Sequence, residues 1–450
     1  MPDTYLPGLH PRARWMRLDA AALLKRFFFL EQSLVISQAG WLPAIALLDA
    51  KIGLPRHLWE DALTAGALRE RVLELRFPNR LMEAGEDAPL LALFEAGRNA
   101  PSAEAFVLSL ARVFKPALLA GCQSYLAQAD EIADGPTLRI LRQAVRDQTE
   151  QIPELAGWAD EMLAAAPAQD GAAEAWVAQL QEQFARLGGV SLGPLPPGLK
   201  LGELPGAQPF AVAETPARDA RFHRGRFYWP DNFDPTFSYG QGIQLQLRSA
   251  LSHLNEVWAV ETAGAMLYAL ADWLGWEYVL DAARWCYDES RHCRMGYERL
   301  REWGFQPAEL PLGSYIYDSG RGQDPLYRLG MLSFFETKNI GRKSERIKAF
   351  QLYQDAMSQH DMDYDWADET IHAHYGQHWL NHLVASGYAG AAALDVDNTL
   401  DVDAIRARCS ELVAATAASA TPAERAELRQ VAEALLAKAE RLAAAPAPEA

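Results

Sequence analysis

The sequence predicts an all-α protein. Residues that favour helices, namely Ala, Leu, Glu and Arg, dominate most segments, and the alternation of apolar and polar residues that is typical of strands is rare. Gly and Pro are concentrated in a few stretches between long helical segments. Half of the 450 residues are hydrophobic and 22% are charged, so we expect a globular chain of two or three domains with a large core.

The first 187 residues are predicted to form an N-terminal helical domain. Its helices are expected at residues 18–49, with a break near 40–43, and at 57–75, 103–129, 136–166 and 172–187. Residues 188–242 are rich in Gly and Pro and, in their second part, in aromatic residues. This segment is predicted to be a linker whose aromatic part packs against a domain, because long loops are usually either ordered or functional.

Residues 243–390 are predicted to form a second domain of four strong helices, at 245–274, 277–303, 325–354 and 357–385. The stretch between the second and third helices contains several Pro and Gly residues, whereas the other joins are short. Two helical hairpins with one long crossover predict a four-helix bundle. Residues 391–450 are expected to contain one more helix, at 422–443, and a disordered tail.

The second and fourth helices of this domain carry the same pattern of five residues. It reads Asp-Glu-Ser-Arg-His at 288–292 and Asp-Glu-Thr-Ile-His at 368–372, so each contains Glu-x-x-His. Residues three apart lie on one face of a helix. Glu289 with His292, and Glu369 with His372, are therefore candidate ligands of a metal ion.

The first and third helices each supply one carboxylate among apolar neighbours, Glu261 and Glu336. Each lies at a distance from the following Glu-x-x-His that fits a helix, a tight turn and a return to the same level of the bundle. Four buried carboxylates would repel one another, and an ionised carboxylate in an apolar core costs several kcal/mol. The pattern therefore predicts two divalent cations, and carboxylate with imidazole favours iron or manganese.

This arrangement resembles the ferritin-like di-iron carboxylate superfamily, of the bacterial oxygenase and oxidase type, over residues 245–387. The superfamily pattern is one Glu from each of two helices and Glu-x-x-His from each of the other two. The resemblance implies a ferritin-like four-helix bundle that binds two iron ions, with a manganese–iron pair as the alternative. The implied metal ligands are Glu261, Glu289, His292, Glu336, Glu369 and His372, and the four glutamates are the expected catalytic residues.

Several alternatives remain open at this point. Glu256 is the alternative to Glu261, and an exposed Glu336 paired with Lys338 is the alternative for that position. Gly264, one turn after Glu261, is interpreted as leaving room for a substrate. Further residues near the motifs either surround the site or have ordinary packing and solvation roles: His253, Trp285, Cys286, Asp288, Asp368, His374 and His378.

The N-terminal domain is interpreted as a degenerate duplicate of the bundle that has lost its metal, with an unrelated helical domain as the alternative. Subtracting 221 from five ligand numbers gives positions inside predicted helices, and Glu31 matches Glu261 with an offset of 230. Arg and Lys would then replace the charge of the metal. The five matched positions are Leu68, Arg71, Lys115, Gln148 and Gln151.

The resemblance implies an enzyme that activates O2 to hydroxylate, N-oxygenate or desaturate a small metabolite. A ferritin-like iron-binding ferroxidase and a non-catalytic helical scaffold are the alternatives, although the long chain fits a storage cage poorly. The sequence has no nicotinamide or flavin fingerprint, so electrons are expected from the substrate or from an electron-donor protein. A second copy of the chain, forming a homodimer, is the other expected partner.

The composition narrows these expectations. A net charge of −17 disfavours nucleic acid, including a tRNA acceptor such as a tRNA hydroxylase of the superfamily uses. The four cysteines form no C-x-x-C pair, which disfavours a disulfide framework and a thiolate metal site. The N-terminus lacks the pattern of a signal peptide, and its longest apolar stretch is too short to span a membrane. We therefore expect a cytoplasmic protein without a membrane partner.

Overall fold

The computed structural model shows an all-α protein, which confirms the predicted fold class. It describes residues 12, 14–195, 198–388 and 401–444. Residues 391–400 and 445–450 of the predicted C-terminal region therefore lie outside the described residues, as do residues 389–390 of the predicted second domain. Over the described ranges, strands are limited to one parallel pair of two residues each, β1 (His223–Arg224) and β2 (Pro311–Leu312).

The helices are numbered in chain order. Those of the first half are α1 (Arg17–Trp41), α2 (Leu48–Glu74), α3 (Ala88–Gly97), α4 (Ala103–Ser109), α5 (Lys115–Leu126), α6 (Gly135–Ala165) and α7 (Asp170–Leu187). A π-helical turn, Leu110–Phe114, joins α4 to α5. Those of the second half are α8 (Ile243–Leu254), α9 (Val257–Leu274), α10 (Trp276–Glu302), α11 (Tyr315–Ser319), α12 (Pro325–Leu352), α13 (Ala356–Ala385), α14 (Val402–Ala418) and α15 (Pro422–Ala444).

The chain divides into two compact units. Unit 1 comprises residues 1–37 and 57–210, and unit 2 comprises residues 38–56 and 211–450. These bounds differ from the predicted ones, because the expected linker 188–242 divides near residue 210 and the short segment 38–56 groups with the second half. The aromatic part of the expected linker is buried in unit 2 through Phe227, Tyr228 and Trp229.

In unit 1, α4 packs against α6 and α7, and α5 packs against α6. The stretch Ala103–Leu126 is long and apolar enough to cross a membrane, but 72% of its most apolar window is buried inside the protein. Sequence analysis did not predict α3, α11 or α14. The first two are short, and a helix of three turns or fewer has a weak periodic signal.

In unit 2, α10 packs against α8, α9 and α13, and α12 packs against α9 and α13. Helix α12 begins at Pro325, where the Asp324 carboxylate accepts a hydrogen bond from the backbone N–H of Leu326. The Asp355 carboxylate caps α13 in the same way. Because an aspartate caps each of these two helices, each helix begins at a defined residue. The first residue in turn determines where along the helix its later acidic residues lie.

The predicted helix 245–274 is instead two helices, α8 and α9, separated by Asn255 and Glu256. The Asn255 amide donates to the carbonyl of Pro311 at 3.0 Å and accepts from the N–H of Gly313 at 2.7 Å. This buried side chain ties the break to the crossover that precedes α12. The break places Glu256 at the first position before α9.

Candidate metal centre

Five of the six predicted ligands converge in the interior of unit 2. Each is at most 6% exposed, so all five side chains lie in the core. They come from three helices that pack on one another: Glu289 and His292 from α10, Glu336 from α12, and Glu369 and His372 from α13.

One half of the cluster is formed by Glu289, Glu336 and His372. Their ligand atoms all lie within 4.8 Å of one another. His372 Nδ1 is 3.2 Å from Glu289 Oε1 and 3.8 Å from Glu336 Oε1. A single cation can therefore be bound by the three side chains after small adjustments.

The other half lies around His292. Its Nδ1 is 3.4 Å from Glu256 Oε2, 3.5 Å from Asp365 Oδ1 and 3.6 Å from Glu289 Oε2. Glu369 joins His292 and Asp365 in a further group of mutually close ligand atoms. Glu289 belongs to both halves, because its Oε1 lies near His372 and its Oε2 lies near His292.

Glu261 is separated from the other predicted ligands, and this part of the prediction needs correction. Its carboxylate is fully buried and paired with Lys51 and Arg218, so its charge is already balanced. Five residues correspond to about 140° around a helix, so Glu256 and Glu261 point to different sides. Glu256, the alternative left open by the sequence, is the carboxylate beside His292.

The room expected at Gly264 is also filled. A Cβ built there would lie 2.5 Å from the backbone carbonyl of Ala39 and 2.8 Å from the Leu42 side chain. The glycine therefore permits close packing of the segment that ends α1, and this face of α9 offers no space for a substrate.

Sequence reasoning missed Asp365 and Lys343, which both belong to the cluster. Lys343 Nζ forms an ion pair with Asp365 and lies 3.1 Å from Glu369 Oε1. His253 Nε2 lies 3.1 Å from Asp365 Oδ2 on the other side. A signal was available, because Asp365 precedes Glu369 by one helical turn and Lys343 follows Glu336 by two turns, on the same helix faces.

The aspartates of the two motifs hold the histidines in a crossed arrangement. His292 Nε2 is 3.2 Å from Asp368 Oδ2, and His372 Nε2 is 3.3 Å from Asp288 Oδ2. Each aspartate thus positions the imidazole of the opposite motif. A hydrogen bond from Nε2–H to a carboxylate leaves Nδ1 as the metal-binding nitrogen. Arg291 joins the two aspartates, at 2.6 Å from Asp288 and 2.9 Å from Asp368.

Several side chains of the cluster have raised pKa values, so they favour their protonated forms when no cation is bound. Burial, together with repulsion from Glu369 and Glu289, raises the pKa of Glu336 well above its ordinary value. Burial also raises the pKa of Glu256 to about 8. Burial lowers the pKa of His372, but the nearby Asp288 and Glu289 carboxylates outweigh it and raise that pKa to about 9.

The residues present fit two divalent ions. Glu256, Glu289, Glu336, Asp365 and Glu369 supply five carboxylates, and Lys343 is the cation paired within them, so four negative charges remain for two divalent cations to neutralise. Buried polar atoms that are normally hydrogen-bonded lack a partner here. Among the described residues, no hydrogen bond reaches Glu256 Oε2, Asp365 Oδ1, His292 Nδ1 or His372 Nδ1.

The remaining sequence candidates surround the centre or lie away from it. Trp285 Nε1 donates to Glu289 Oε1 at 3.0 Å, and its ring stacks on His372.

Glu336 is 3% exposed and is a member of the cluster, whereas Lys338 lies over the ring of Phe334. Cys286 is a buried thiol. His374 and His378 are exposed and stack on each other.

A cavity of about 1060 Å³ in unit 2 reaches the cluster. Its lining includes the acidic side chains Glu256, Glu289, Glu336, Asp365 and Glu369. The rest of the lining includes eight aromatic and six basic side chains. Sites for small organic molecules are commonly apolar cavities of about 300–1,000 Å³ with a few polar groups, so this space is large enough for an organic molecule beside the metal centre.

Unit 1 contains a second buried polar cluster at positions that the proposed duplication matched. Lys115 pairs with Asp61 and donates to Gln151 Oε1 at 2.8 Å, and Gln148 Nε2 donates to Glu31 Oε1 at 2.7 Å. These five side chains are at most 3% exposed.

On α2, however, the match differs from the predicted one. Asp61 lies beside Lys115, whereas Leu68 is an apolar core residue and Arg71 binds Thr137 and Asp134. An offset of 228, seven residues more than the predicted 221, would match Asp61 to Glu289. Two turns of helix separate the two offsets, so both keep nearly the same face, and the sequence alone could not choose between them.

The shifted offset reveals a further parallel. It equates Glu60-Asp61 with Asp288-Glu289. Gln151 Nε2 donates to Glu60 Oε2 at 2.9 Å, which repeats in position the contact of His372 with Asp288.

Comparison with known proteins identifies one family match. Residues 210–395 match a family model described as "Protein of unknown function (DUF455)". The matched range contains every side chain of the candidate metal centre. No curated protein and no solved structure matches the chain.

Proposed function

We propose that this protein is an O2-dependent di-iron oxidoreductase that oxidises a small metabolite, and that unit 2 is a ferritin-like four-helix bundle. The observation that carries the proposal is the pair of Glu-x-x-His motifs on α10 and α13. They meet with Glu256 and Glu336 in one buried cluster, where His292 Nδ1 and His372 Nδ1 face carboxylates. Imidazole with several carboxylates is the ligand set that suits iron or manganese.

Two bound ferrous ions would supply the binding site for O2 and would pass electrons to it without net change. In a hydroxylation, one oxygen atom enters a C–H or N–H bond of the substrate and the other leaves as water. The substrate supplies two electrons, and a reduced electron-transfer protein supplies the other two, with two protons. The four-electron reduction of O2 is then balanced.

The chain's own residues have definable roles in such a centre. Glu289 would be within reach of both ions, and Asp288 and Asp368 fix the orientation of His372 and His292. Lys343 holds a positive charge against Asp365 and so lowers the total negative charge that the metals must balance.

The cavity beside the cluster favours an organic substrate over iron storage. Storage needs a path for iron and an interior for mineral, whereas this cavity is lined by aromatic side chains such as Trp258, Phe334 and Phe335. Aromatic surface binds the apolar part of organic molecules.

We also propose that unit 1 is a degenerate copy of the same bundle. The support is the matched cluster of Glu31, Asp61, Lys115, Gln148 and Gln151, in which an ammonium group and two amides stand where the other copy has carboxylates and imidazole. The spacing from Lys115 to Gln148 equals that from Glu336 to Glu369.

The test is metal content, by elemental analysis, of protein loaded anaerobically with ferrous iron. We expect about two iron ions per chain, as the four-carboxylate, two-histidine pattern implies. The Glu289→Ala/Glu369→Ala variant should retain almost none. Iron-loaded wild-type protein should consume O2 in the presence of a reductant, and the variant should not.

The matched control is Glu302→Ala/Asp363→Ala, which removes one exposed acid from each of the same two helices. It should bind iron as the wild type does. If the wild type binds no stoichiometric iron, or if both double variants bind it equally, the di-iron proposal is overturned.

A further inference from the structure

We infer that the substrate of unit 2 is an anionic organic molecule, held by a basic stripe on α12 with its apolar part directed along the cavity to the metal centre. The inference rests on the proposed function, because the cavity matters as a substrate site only if the cluster performs the chemistry. The observations behind it concern side chains of the cavity lining that are not candidate metal ligands.

The basic stripe consists of Lys338, Arg342 and Arg346, which all line the cavity. Residues four apart lie on one helix face, so the three cations form a row about 12 Å long. Within the part of the chain that the structure describes, none of the three is ion-paired with a carboxylate. In a protein of net charge −17, a row of cations without acidic partners is a specific feature of this surface.

A buried cation lines the same cavity. Arg248 is 6% exposed and pairs with Asp231 through Nε and Nη2, while its Nη1 has no hydrogen-bond partner among the described residues. A buried guanidinium donor without an acceptor is costly, because burial removes its water. An anionic or carbonyl oxygen of a ligand would satisfy this donor.

The cavity combines this positive charge with apolar surface. The ring of Tyr239 lies under both Arg248 and Arg346, and Trp258, Phe334 and Phe335 also belong to the lining. The exposed Lys338 and Arg342 form the solvent side, and the buried carboxylates form the inner side. A molecule with a carboxylate, sulfonate or phosphate at one end and an apolar body would match both chemistries.

The size of the cavity and the net charge of the protein favour a small metabolite over a nucleic acid as the ligand. The cavity of about 1060 Å³ holds an organic molecule of moderate size. A polynucleotide would extend beyond the three cations and meet a strongly acidic protein, which repels a phosphate backbone.

The experiment compares two fluorescent probes that differ in one charged group. 8-Anilinonaphthalene-1-sulfonate is an aromatic anion, and N-phenyl-1-naphthylamine has the same aromatic body without the sulfonate. We expect wild-type protein to bind the sulfonate probe more tightly. Lys338→Ala/Arg342→Ala should weaken the sulfonate probe about tenfold, since each exposed ion pair contributes modestly, and leave the neutral probe within about twofold.

Two further variants locate the effect. Lys348→Ala removes an exposed cation of the same helix that does not line the cavity, and it should change neither affinity. Ala417→Trp fills part of the lining and should weaken both probes. Equal losses of both probes in Lys338→Ala/Arg342→Ala, or no loss of either, would overturn the inference. Displacement of the sulfonate probe by short single-stranded RNA but not by benzoate or phenyl phosphate would do the same.

The probes are titrated into metal-free and ferrous-loaded protein, so that two failures are distinguishable. If iron binds and the charge-dependent difference is absent, the substrate inference fails while the proposed function stands. If the difference is present but iron does not bind, the proposed function fails, and with it the assignment of the anion as a substrate.

Discussion

The two buried polar clusters of this protein solve the same electrostatic problem in opposite ways. In unit 1 the Asp61 carboxylate is paired with Lys115, and burial, with repulsion from Asp61, raises the pKa of Glu31 to about 8, so that this group is mostly protonated at neutral pH. That cluster is close to neutral by itself. In unit 2 five carboxylates surround one lysine, Lys343. Two divalent cations would balance that excess and would displace the protons that the raised pKa values of Glu256 and Glu336 favour in their absence.

The comparison shows how a helical core can contain buried polar groups without a metal. An ammonium group and amides can hydrogen-bond to the remaining acids without any bound ion. Lys115 and Gln151 do so in unit 1, where the hydrogen bonds run from side chain to side chain. In unit 2 the corresponding atoms include His372 Nδ1, which has no such partner over the described residues.

The largest expected effect is removal of the internal cation of unit 1. Lys115→Met removes the cation from the buried ion pair with Asp61 and should lower the free energy of unfolding by about 3–5 kcal/mol. Chemical denaturation measures this, and the iron content should not change. Arg139→Met, an exposed cation of the same unit, should alter stability by less than about 0.5 kcal/mol.

A compensating double variant sharpens the same point. Asp61→Leu/Lys115→Met replaces the pair by apolar groups and should recover most of the lost stability. Failure of the double variant to recover any would mean that unit 1 needs this pair for more than charge balance.

The next largest effect is the response of the two units to metal. Free ferrous iron at a hundred times its dissociation constant should stabilise the unit that binds it by about 2.7 kcal/mol, or about a hundredfold in amide protection. Hydrogen exchange should slow in α10 and α13 and stay constant in α6 of unit 1. Equal slowing in both units would erase the difference between the clusters, and Glu289→Ala/Glu369→Ala should abolish the response.

A smaller effect is expected from the aspartates that position the histidines. Asp288→Asn should weaken iron binding about 10–100-fold, because loss of the carboxylate makes His372 a poorer and less oriented ligand. Titration against a competing chelator measures this. The matched position in unit 1, changed as Glu60→Gln, should leave iron affinity unchanged, and an equal change in both variants would contradict the assignment.

The smallest expected effect distinguishes two candidate metal ligands, Glu256 just before α9 and Glu261 within it. Glu256→Ala should lower the iron content by about one ion of two, because the ion beside His292 loses a ligand. Glu261→Gln should keep both ions, since Lys51 and Arg218 already neutralise that carboxylate. Loss of iron from Glu261→Gln alone would restore the original prediction.

Much of this arrangement was accessible from the sequence. Spacing of three within each motif places Glu289 with His292 and Glu369 with His372, because a helix repeats every 3.6 residues. The structure brings these four together with Glu336. Local periodicity also predicted the bounds of α10, α12 and α13 to within a few residues.

What the sequence by itself determined was the all-α class and the helix faces that carry the motifs, because both depend on local periodicity. Only the tertiary structure decided between Glu256 and Glu261. That choice depends first on Asn255, whose hydrogen bonds to Pro311 and Gly313 hold the break between α8 and α9. It also depends on Lys51 and Arg218, which form ion pairs with the Glu261 carboxylate. The same holds for Asp61 against Leu68. Contacts between residues tens to hundreds of positions apart produce no periodic pattern in the sequence. These contacts determine which of two candidate residues lies in each cluster.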